Sequence, residues 1–355
     1  MAGLVPAIGV FKLSAKDEDV HALSYKGRDG ERAMPGRRIL FAACMVVVSA
    51  VHALAQSYPS RPVKIVVPYA AGGGTDALTR FVARGLEQRL GQPVIVENRG
   101  GSGTTLGGTQ VARAEPDGYT LLMGTSSTFA MAPSFYKQLA YNPVKDFSPI
   151  MLVATVPFVL TVHPSLGVNT AQELIALAKS KPGQLSFASG GAGAPHHIYA
   201  ELLKSMTGID IKHVPYRGGG PALNDVVAGH VPIYFADVGP AAPLIAAGKL
   251  KALGVTTAKR VDTMPDVPTL SEAGVTGYEA NSWQMFVGPP NMPEPIVTRV
   301  NAAMADFMRT PEAQKHFVSL GMQPKTTTPA EAGEYIRAEV ERWTAILKGI
   351  GVTAE

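Results

Sequence analysis

The sequence predicts an α/β fold built as two lobes, and three observations support this prediction. From Gln56 onward, short β-branched runs alternate with longer amphipathic segments, which is typical of mostly parallel sheets covered by helices. A glycine-rich turn between a strand and a helix occurs twice, at residues 70–76 and 190–195, more than a hundred residues apart. Three helical segments end the chain without a strand series of their own, so we expect them to pack back on the first lobe.

The first 55 residues have the pattern of a processing segment. Arg37 and Arg38 precede an apolar run at 39–51, and small residues at 53–55 offer a cleavage site, which is the order of a secretory signal peptide. The apolar run is too short for a bilayer-spanning helix, which needs about 20 residues. We therefore expect export to the periplasm and a mature chain that begins near Gln56.

The same segment suggests that the start of translation lies further along the chain. Met34 stands three residues before the two arginines, so we expect translation to begin there and residues 1–33 to be an over-extended start. A twin-arginine signal and lipidation of Cys44 are weaker alternatives. The consensus around the arginines is poor, and too few apolar residues precede the cysteine.

Composition excludes several classes of protein. Seven of the 32 Lys/Arg and five of the 28 Asp/Glu lie in residues 1–55, so the rest of the chain is nearly balanced in charge. It has no basic cluster interleaved with aromatics, and we expect no nucleic-acid partner. Cys44 is the single cysteine, so a chain cleaved before Gln56 would hold no disulfide, iron–sulfur cluster or cysteine-ligated zinc.

The first lobe is predicted from residues 56–156 and 283–355. It begins with a strand, a glycine turn and a helix that ends at Gly91, and Asp117-Gly118 marks a turn before a later strand. The predicted strands are 63–69, 94–96, 119–123 and 283–287, with a third glycine-rich stretch at 100–108. The predicted helices are 77–90, 295–308, 311–320 and 329–350.

The second lobe is predicted from residues 157–282. Thr170 and Glu173 are spaced as a capping box for a helix that Pro182-Gly183 would stop. Chain crossings near Val156-Pro157 and 281–283 would then form a two-strand hinge that permits closure around a ligand. The predicted strands begin near 158 and continue at 185–189, 211–216, 231–235 and 250–255, with helices ending at Gly208 and covering 223–228 and 241–247.

Motifs of enzymatic chemistry are absent from the sequence. It contains no His-Glu-x-x-His, no phosphate-binding P-loop and no Gly-x-Ser-x-Gly, and neither Ser102 nor Ser189 lies in a complete nucleophile elbow. His196-His197 could suggest a metal site, but a helix first turn with one ring packed and one exposed is the simpler interpretation. We expect no enzyme activity, no cofactor and no metal.

The first glycine turn, 72–76, allows two interpretations. It lacks the dinucleotide fingerprint, and Asp76 inside the turn would repel a pyrophosphate. Either Asp76 or Thr75 caps the helix while backbone N–H groups and a trapped water hold a carboxylate, or the turn is only an N-cap beside a tight bend.

The second turn and the segments after it add to the candidate site. Residues 190–194 have small side chains, which leaves the backbone open to a ligand or, alternatively, fits a crowded loop. Tyr216 and Arg217 follow another strand; the arginine would pair with an anion or simply lie on the surface. Asp237 follows the strand at 231–235, where it would accept from a ligand hydroxyl or ammonium, or only cap the next helix.

These residues resemble the extracytoplasmic solute receptors of the tripartite tricarboxylate transporter family, also called Bug-type binding proteins. The resemblance covers essentially all of the chain after Gln56 and is carried by several phrases in order. They are YPSRP with VKIVVPYAAGGGTD, VENRGGSGTTLGG, EPDGYTLLMGT, ELIALAKSKPGQLSFASGGAG, HVPYRGGGPALNDVVAGHV, AAGKLKALGVTT with Arg260, PDVPT at 265–269, and Gly277-Tyr278-Glu279 with Trp283.

The resemblance implies a periplasmic-binding-protein type II fold, with two α/β lobes joined by a two-strand hinge and closing over a small organic carboxylate. In the family, the two glycine turns grip a ligand carboxylate through backbone amides and ordered water. Many relatives have an aspartate directly after the phenylalanine that Phe235 matches; here Ala236 stands there, which makes Asp237 a less secure contact. The implied ligand-binding residues are Tyr69, Ala71, Gly73, Gly74, Thr75, Asp76, Thr125, Ser126, Ser189, Gly190, Gly191, Ala192, Gly193, His196, Tyr216 and Asp237.

The expected function is capture of a mono-, di- or tricarboxylate in the periplasm and its delivery to the integral-membrane components of a tripartite tricarboxylate transporter. We expect the receptor to be a monomer. A ligand-sensing receptor of the same fold, or an exported enzyme acting on carboxylates, are the alternatives.

Overall fold

The computed structural model describes residues 58–351, which form two β-sheets flanked by helices. The predicted signal peptide and start at Met34 lie outside the described residues. Within 58–351, no helix combines the length and apolar character that crossing a bilayer requires.

The two sheets draw on different parts of the chain. The strands are β1 (Val63–Val67), β2 (Val94–Asn98), β3 (Thr120–Thr125), β4 (Ser148–Val156), β5 (Phe158–Val162), β6 (Ser186–Ser189), β7 (Lys212–Pro215), β8 (Ile233–Asp237), β9 (Lys251–Val255), β10 (Ser282–Gly288) and β11 (Gln323–Pro324). The first sheet has the order β11-β4-β10-β3-β1-β2, and the second has the order β7-β6-β8-β5-β9. The first sheet is therefore built from both ends of the described chain, and the second from its middle.

Helices connect and cover the strands. They are α1 (Gly74–Leu90), α2 (Thr105–Ala112), α3 (Ala132–Phe135), α4 (Ala171–Ser180), α5 (Pro195–Thr207), α6 (Gly219–Val227), α7 (Val238–Ala246), α8 (Glu294–Met308), α9 (Pro311–Ser319) and α10 (Pro329–Ile350). Of the three C-terminal helices, α8 packs on α1 and β4, and α10 packs on β4. A π-helical turn, Ser127–Met131, follows β3 directly.

The expectation of mostly parallel strands is wrong. β1 is parallel to β2 and β3, and β6 is parallel to β7 and β8, but the remaining pairs are antiparallel. The reason is the connection between the sheets. β5 enters the second sheet from the end at which β6 and β8 finish, and β10 re-enters the first sheet in the same way.

Two chain segments cross between the sheets side by side. Pro157 alone separates β4 from β5, and β10 begins at Ser282, whose register partner is Val156. On the other side of the crossing, Phe158 is the register partner of Asp237. The carboxyl ends of β3 and β8 therefore both lie beside this double crossing.

A buried carboxylate holds the joint of the two sheets. Glu339 of α10 accepts hydrogen bonds from the indole nitrogens of Trp283 at 2.9 Å and Trp343 at 3.2 Å. The ring of Trp343 stacks on Tyr199 of α5 with 5.8 Å between centroids. Because Trp283 lies on β10, the last helix is tied both to the crossing strand and to the second sheet.

One predicted cap is only half formed. The Thr170 hydroxyl accepts from the Glu173 N–H at 3.1 Å, as predicted. The Glu173 carboxylate accepts from the N–H of Asn169, where a capping box would use that of Thr170. The reciprocal capping box is instead found at Thr328 and Glu331, where α10 begins.

Candidate ligand-binding site

The first glycine turn delivers the chain to the start of α1. Gly73 is the N-cap residue, with extended backbone (φ −82°, ψ 170°) and no side-chain cap bond. The expectation that Thr75 or Asp76 caps the helix is wrong, because both residues lie inside its first turn. The first N–H groups of a 17-residue helix have no intrahelical acceptor and attract anions.

The Asp76 side chain holds this turn in place through hydrogen bonds. Its carboxylate accepts from the Gly72 N–H at 2.9 Å, from the Asn98 side-chain amide at 2.9 Å, and from the Arg80 guanidinium at 3.0 and 3.1 Å. The side chain is only 5% exposed. Burial alone would raise the pKa of Asp76, but these hydrogen bonds and the Arg80 charge hold it below its usual value. Asp76 thus fixes the loop through its own bonds.

The backbone conformation requires glycine at position 72 but not at position 73. Gly72 has φ +90°, a left-handed conformation that favours glycine. Gly73 has no such conformation, and a Cβ added to it would meet no atom within 4 Å. The fold itself therefore does not need a glycine at 73, and the bare backbone there faces open space beside the exposed Ala71 and Gly74.

Polar groups from β3 lie next to this turn. The Tyr69 hydroxyl and the Thr125 hydroxyl are 2.8 Å apart, so the structure brings these two predicted residues together. Ser126 is fully buried, and its hydroxyl is 2.8 Å from that of Ser282 at the double crossing. The end of β3 thus joins the first turn to the crossing strands.

The second glycine turn is braced by two histidines. The Ser189 hydroxyl is 2.5 Å from Nε2 of His213 and accepts from the Gly191 N–H at 3.0 Å. The Gly193 N–H donates to Nδ1 of His197 at 3.2 Å. The rings of His197 and His213 stack with centroids 4.1 Å apart. These contacts fix a loop whose Gly191 and Gly193 have φ of +122° and +74°.

The two bracing histidines are neutral at physiological pH. Burial lowers the pKa of His197 to about 4, and the Lys204 charge adds to this. Burial likewise lowers the pKa of His213 to about 4, with a further contribution from His197. A neutral His197 leaves Nδ1 free to accept from the Gly193 N–H, so this bond requires the unprotonated ring.

The turn that follows β7, at residues 216–220, is hydrogen-bonded to the second glycine turn. The Tyr216 N–H donates to the Ser189 carbonyl at 2.9 Å, and the Gly218 N–H donates to the Gly190 carbonyl at 3.2 Å. The Tyr216 hydroxyl donates to Asp225 at 2.5 Å, within the same lobe. The Arg217 side chain is exposed.

His196 and Asp237 form a pair at the end of β8. Nε2 of His196 lies 3.2 Å from Oδ2 of Asp237, and the imidazole stacks on Tyr234 with centroids 5.1 Å apart. Asp237 occupies the N-cap position of α7 but makes no side-chain cap bond there. The capping role considered for Asp237 is therefore absent in this structure.

Contacts connect the two lobes around these turns. A Cβ on Gly193 would lie 3.1 Å from the ring of Phe135, which belongs to the helix after β3. Burial raises the pKa of the Tyr69 phenol, the Thr125 hydrogen bond lowers it, and the Asp237 carboxylate raises it further. Asp237 is thus close enough to Tyr69 for its charge to act on the opposite lobe.

Sequence reasoning missed several polar residues near the turns. Gln284 on β10 is 3% exposed, donates to the Thr75 hydroxyl at 3.4 Å, and has an Oε1 atom with no partner among the described residues. A glutamine within the apolar strand 282–288 was the available signal. Asn98 and His213 gave no signal, because their roles depend on neighbours that are distant in sequence.

The adjacent histidines do not converge on one point. His196 faces Asp237, whereas His197 faces the glycine turn and stacks on His213. In the part of the chain that the structure describes, no group of three His, Cys, Asp or Glu side chains is arranged to hold a metal ion.

Comparison with known proteins identifies the family. Residues 78–352 match the model of the tripartite tricarboxylate transporter family receptor. The structure of R. palustris Rpa4515 with adipate is 35% identical, with a TM-score of 0.78 over 83% of this chain and 99% of that one. Periplasmic binding protein BugD is 36% identical, with a TM-score of 0.77 over 84% and 100% of the two chains.

A further solved structure, MatC from Rhodopseudomonas palustris with bound malate, is 33% identical, with a TM-score of 0.75 over 82% of this chain and 100% of that one. These structures confirm the predicted two-lobed binding-protein fold, and the family match confirms the resemblance carried by the sequence phrases. The chain belongs to the Bug-type receptors of the tripartite tricarboxylate transporter family.

Proposed function

We propose that this protein is a periplasmic receptor that binds a small organic carboxylate between its lobes and delivers it to the membrane components of a tripartite tricarboxylate-type transporter. The observation that carries the proposal is the bare backbone at Gly73, the N-cap of α1, where an added Cβ would meet no atom within 4 Å, together with the Tyr69–Thr125 pair. A ligand carboxylate there would accept from helix N–H groups, where the helix dipole favours negative charge. The adipate and malate bound to the similar proteins are carboxylates of this kind.

The second glycine turn would complete the grip from the other lobe. Its backbone is held by Ser189, His197 and His213, and it lies against Phe135 of the first lobe. In this proposal residues 56–156 and 283–355 form the first lobe and residues 157–282 the second. Closure brings the two turns onto one ligand, and the receptor acts as a monomer after removal of the signal peptide.

An exported enzyme is a weaker candidate, although the structure contains a serine–histidine contact. Ser189 and His213 are within hydrogen-bond distance, but the Ser189 side chain is fully buried and its hydroxyl is bonded to the backbone of Gly191. A nucleophile must reach its substrate, and this hydroxyl is used within the loop. A sensory receptor would use the same site and differ only in its membrane partner.

The proposal is tested by thermal unfolding with a panel of mono-, di- and tricarboxylates, and with sugars and inorganic cations as controls. A ligand that binds only the folded protein stabilises it by about 2.7 kcal/mol at a concentration of 100 Kd, so a clear rise in Tm is expected for at least one carboxylate. A rise with a sugar or a cation and with no carboxylate would refute the carboxylate assignment. Turnover of the bound compound would instead favour the enzyme.

A matched pair of variants locates the site. Gly73→Ala adds a methyl group where the fold has room. The lower entropy of the unfolded chain stabilises the variant and the poorer N-cap destabilises it, so its free energy of unfolding without ligand should lie within about 1 kcal/mol of that of wild type. Ligand binding should fall at least tenfold if the carboxylate approaches this backbone. Gly349→Ala in α10, also with no atom within 4 Å, is the control and should bind normally. Normal binding by Gly73→Ala would place the ligand elsewhere.

A further inference from the structure

Only one of the two carboxylate oxygens of Asp237 accepts a hydrogen bond from the described residues. Oδ2 accepts from His196 at 3.2 Å, and no group among the described residues donates to Oδ1. The side chain is 38% exposed, whereas the histidine is only 10% exposed. An acceptor oxygen is therefore left open next to the candidate site.

Asp237 neither caps the helix that follows it nor pairs with a lysine or arginine side chain of residues 58–351. It stands at the N-cap of α7 without making a side-chain cap bond, and it has no ion pair with a lysine or arginine of the described chain. Its hydrogen-bond partner, His196, stacks on Tyr234 and lies edge-on to Phe158. The histidine thus orients the carboxylate without using up its second oxygen.

The surroundings of the two ring nitrogens of His196 favour one tautomer. Nδ1 is buried with no partner within the described residues, so a proton there would be an unsatisfied buried donor. The proton of a neutral ring belongs on Nε2, where it donates to Asp237. In this tautomer the ring brings no positive charge to balance the Asp237 carboxylate.

The position of Asp237 directs this charge toward a ligand held by the first turn. It ends β8 beside the double crossing, in register with Phe158, and its charge acts on Tyr69 of the opposite lobe. A second carboxylate of a ligand would meet repulsion here, whereas a hydrogen-bond donor would find an open acceptor. Gln284, whose Oε1 has no partner among residues 58–351, adds a second acceptor on the side of the first lobe.

We propose that Asp237 is a specificity-determining residue that selects carboxylates bearing a hydrogen-bond donor, a hydroxyl or an ammonium group, over the same carboxylates without one. This inference rests on the proposed carboxylate-binding function. His196 is the positioning residue that fixes the Asp237 carboxylate. A donor-free analogue would cover this oxygen without supplying a donor, so the acceptor would lose water and gain no hydrogen bond in return.

The experiment is calorimetric titration of the full-length mature protein with three matched sets of dicarboxylates. The sets are succinate, malate and aspartate; glutarate, 2-hydroxyglutarate and glutamate; and adipate, 2-hydroxyadipate and 2-aminoadipate. In at least one set, wild type should bind a donor-bearing member at least tenfold more tightly than the donor-free member. Comparison of the hydroxy and amino members tells which donor Asp237 prefers.

Variants assign the preference to Asp237. Asp237→Ala should lower the affinity for the preferred ligand at least tenfold and leave that for the donor-free member unchanged or higher, because a negative charge has been removed. Asp237→Asn keeps the shape and should lose the preference for an ammonium group. Asp306→Ala, which changes an exposed carboxylate paired with Arg89, should retain the wild-type preference. The Tm of each free variant reports whether it folds.

The outcomes separate the two proposals. Equal affinity for donor-free and donor-bearing members in wild type, or an unchanged preference in Asp237→Ala, would overturn the role of Asp237 and leave the receptor for carboxylates intact. Absence of binding for every carboxylate would overturn the proposed function, and the inference that rests on it.

Discussion

Replacement of Asp76 tests whether the first turn is held in shape by the protein. Asp76→Ala removes the acceptor for Gly72, Asn98 and Arg80 together. A bond to a buried carboxylate contributes about 1.5–3 kcal/mol, but the Arg80 side chain is 48% exposed, which limits its pair to about 1 kcal/mol or less. Gly72 is exposed and its N–H can turn to water, so we expect a total loss of about 2–4 kcal/mol.

The loss is measured by equilibrium urea unfolding and by Tm. For a folded chain of this length, about 2–4 kcal/mol corresponds to a fall in Tm of about 3–8 °C. Asp306→Ala is the matched control, because this carboxylate is 61% exposed and its pair with Arg89 should contribute less than about 1 kcal/mol. An Asp76→Ala variant no less stable than Asp306→Ala would refute the bracing role.

The pH dependence gives an independent check. The folded pKa of Asp76 lies below its unfolded value, so its contribution is present above the unfolded pKa of about 3.9 and is lost as pH falls through the folded pKa. The stability difference between wild type and Asp76→Asn should be constant from about pH 5 to 8 and shrink below about pH 4. A difference that grows on acidification would contradict this assignment.

Loss of Asp76 should also weaken ligand binding. If Asp76 holds the N–H groups that meet the ligand, Asp76→Ala should weaken the best carboxylate found in the panel at least tenfold, about 1.4 kcal/mol. Unchanged affinity in a folded variant would show that Asp76 serves stability alone.

Two further predictions concern the second lobe. Gly239→Ala would place a methyl group onto the Leu320 carbonyl of the first lobe, which would disfavour this contact between the lobes. The variant should therefore lose most of the ligand-induced rise in Tm, whereas Gly349→Ala should keep it. An equal rise in both variants would show that this contact is unnecessary for binding. His197 and His213 have folded pKa values of about 4, below the unfolded value of about 6.5, so their neutral forms favour folding and stability should fall as pH drops from about 6.5 to 4. Each contributes up to about 1.4 kcal/mol per pH unit. Urea unfolding of His213→Gln should show a shallower dependence in that window, and an identical slope would contradict the assignment.

The local elements followed from sequence patterns alone. The glycine turns, the helix ends at Gly91 and Gly208, and the last helix at 329–350 were readable because glycine, proline and apolar periodicity act over a few residues. The family phrases extended this to the two-lobed fold and to the choice of candidate residues.

Strand direction and the partners of polar side chains were decided by the tertiary structure. The sequence alternation favoured parallel strands, but β10 runs antiparallel because it returns from the other sheet, which a local pattern does not record. The sequence allowed Asp76 to be either a helix cap or a ligand contact. In the structure its carboxylate accepts hydrogen bonds from Asn98, 22 residues away, and from Arg80. The sequence allowed Asp237 to be a helix cap, but in the structure His196, 41 residues away, donates to one of its oxygens and no group among the described residues donates to the other. By itself, the sequence determined where the turns and helices lie, because those signals are local. Only the tertiary structure decided which oxygens remain open to a ligand, because hydrogen-bond partners come from residues that folding brings together.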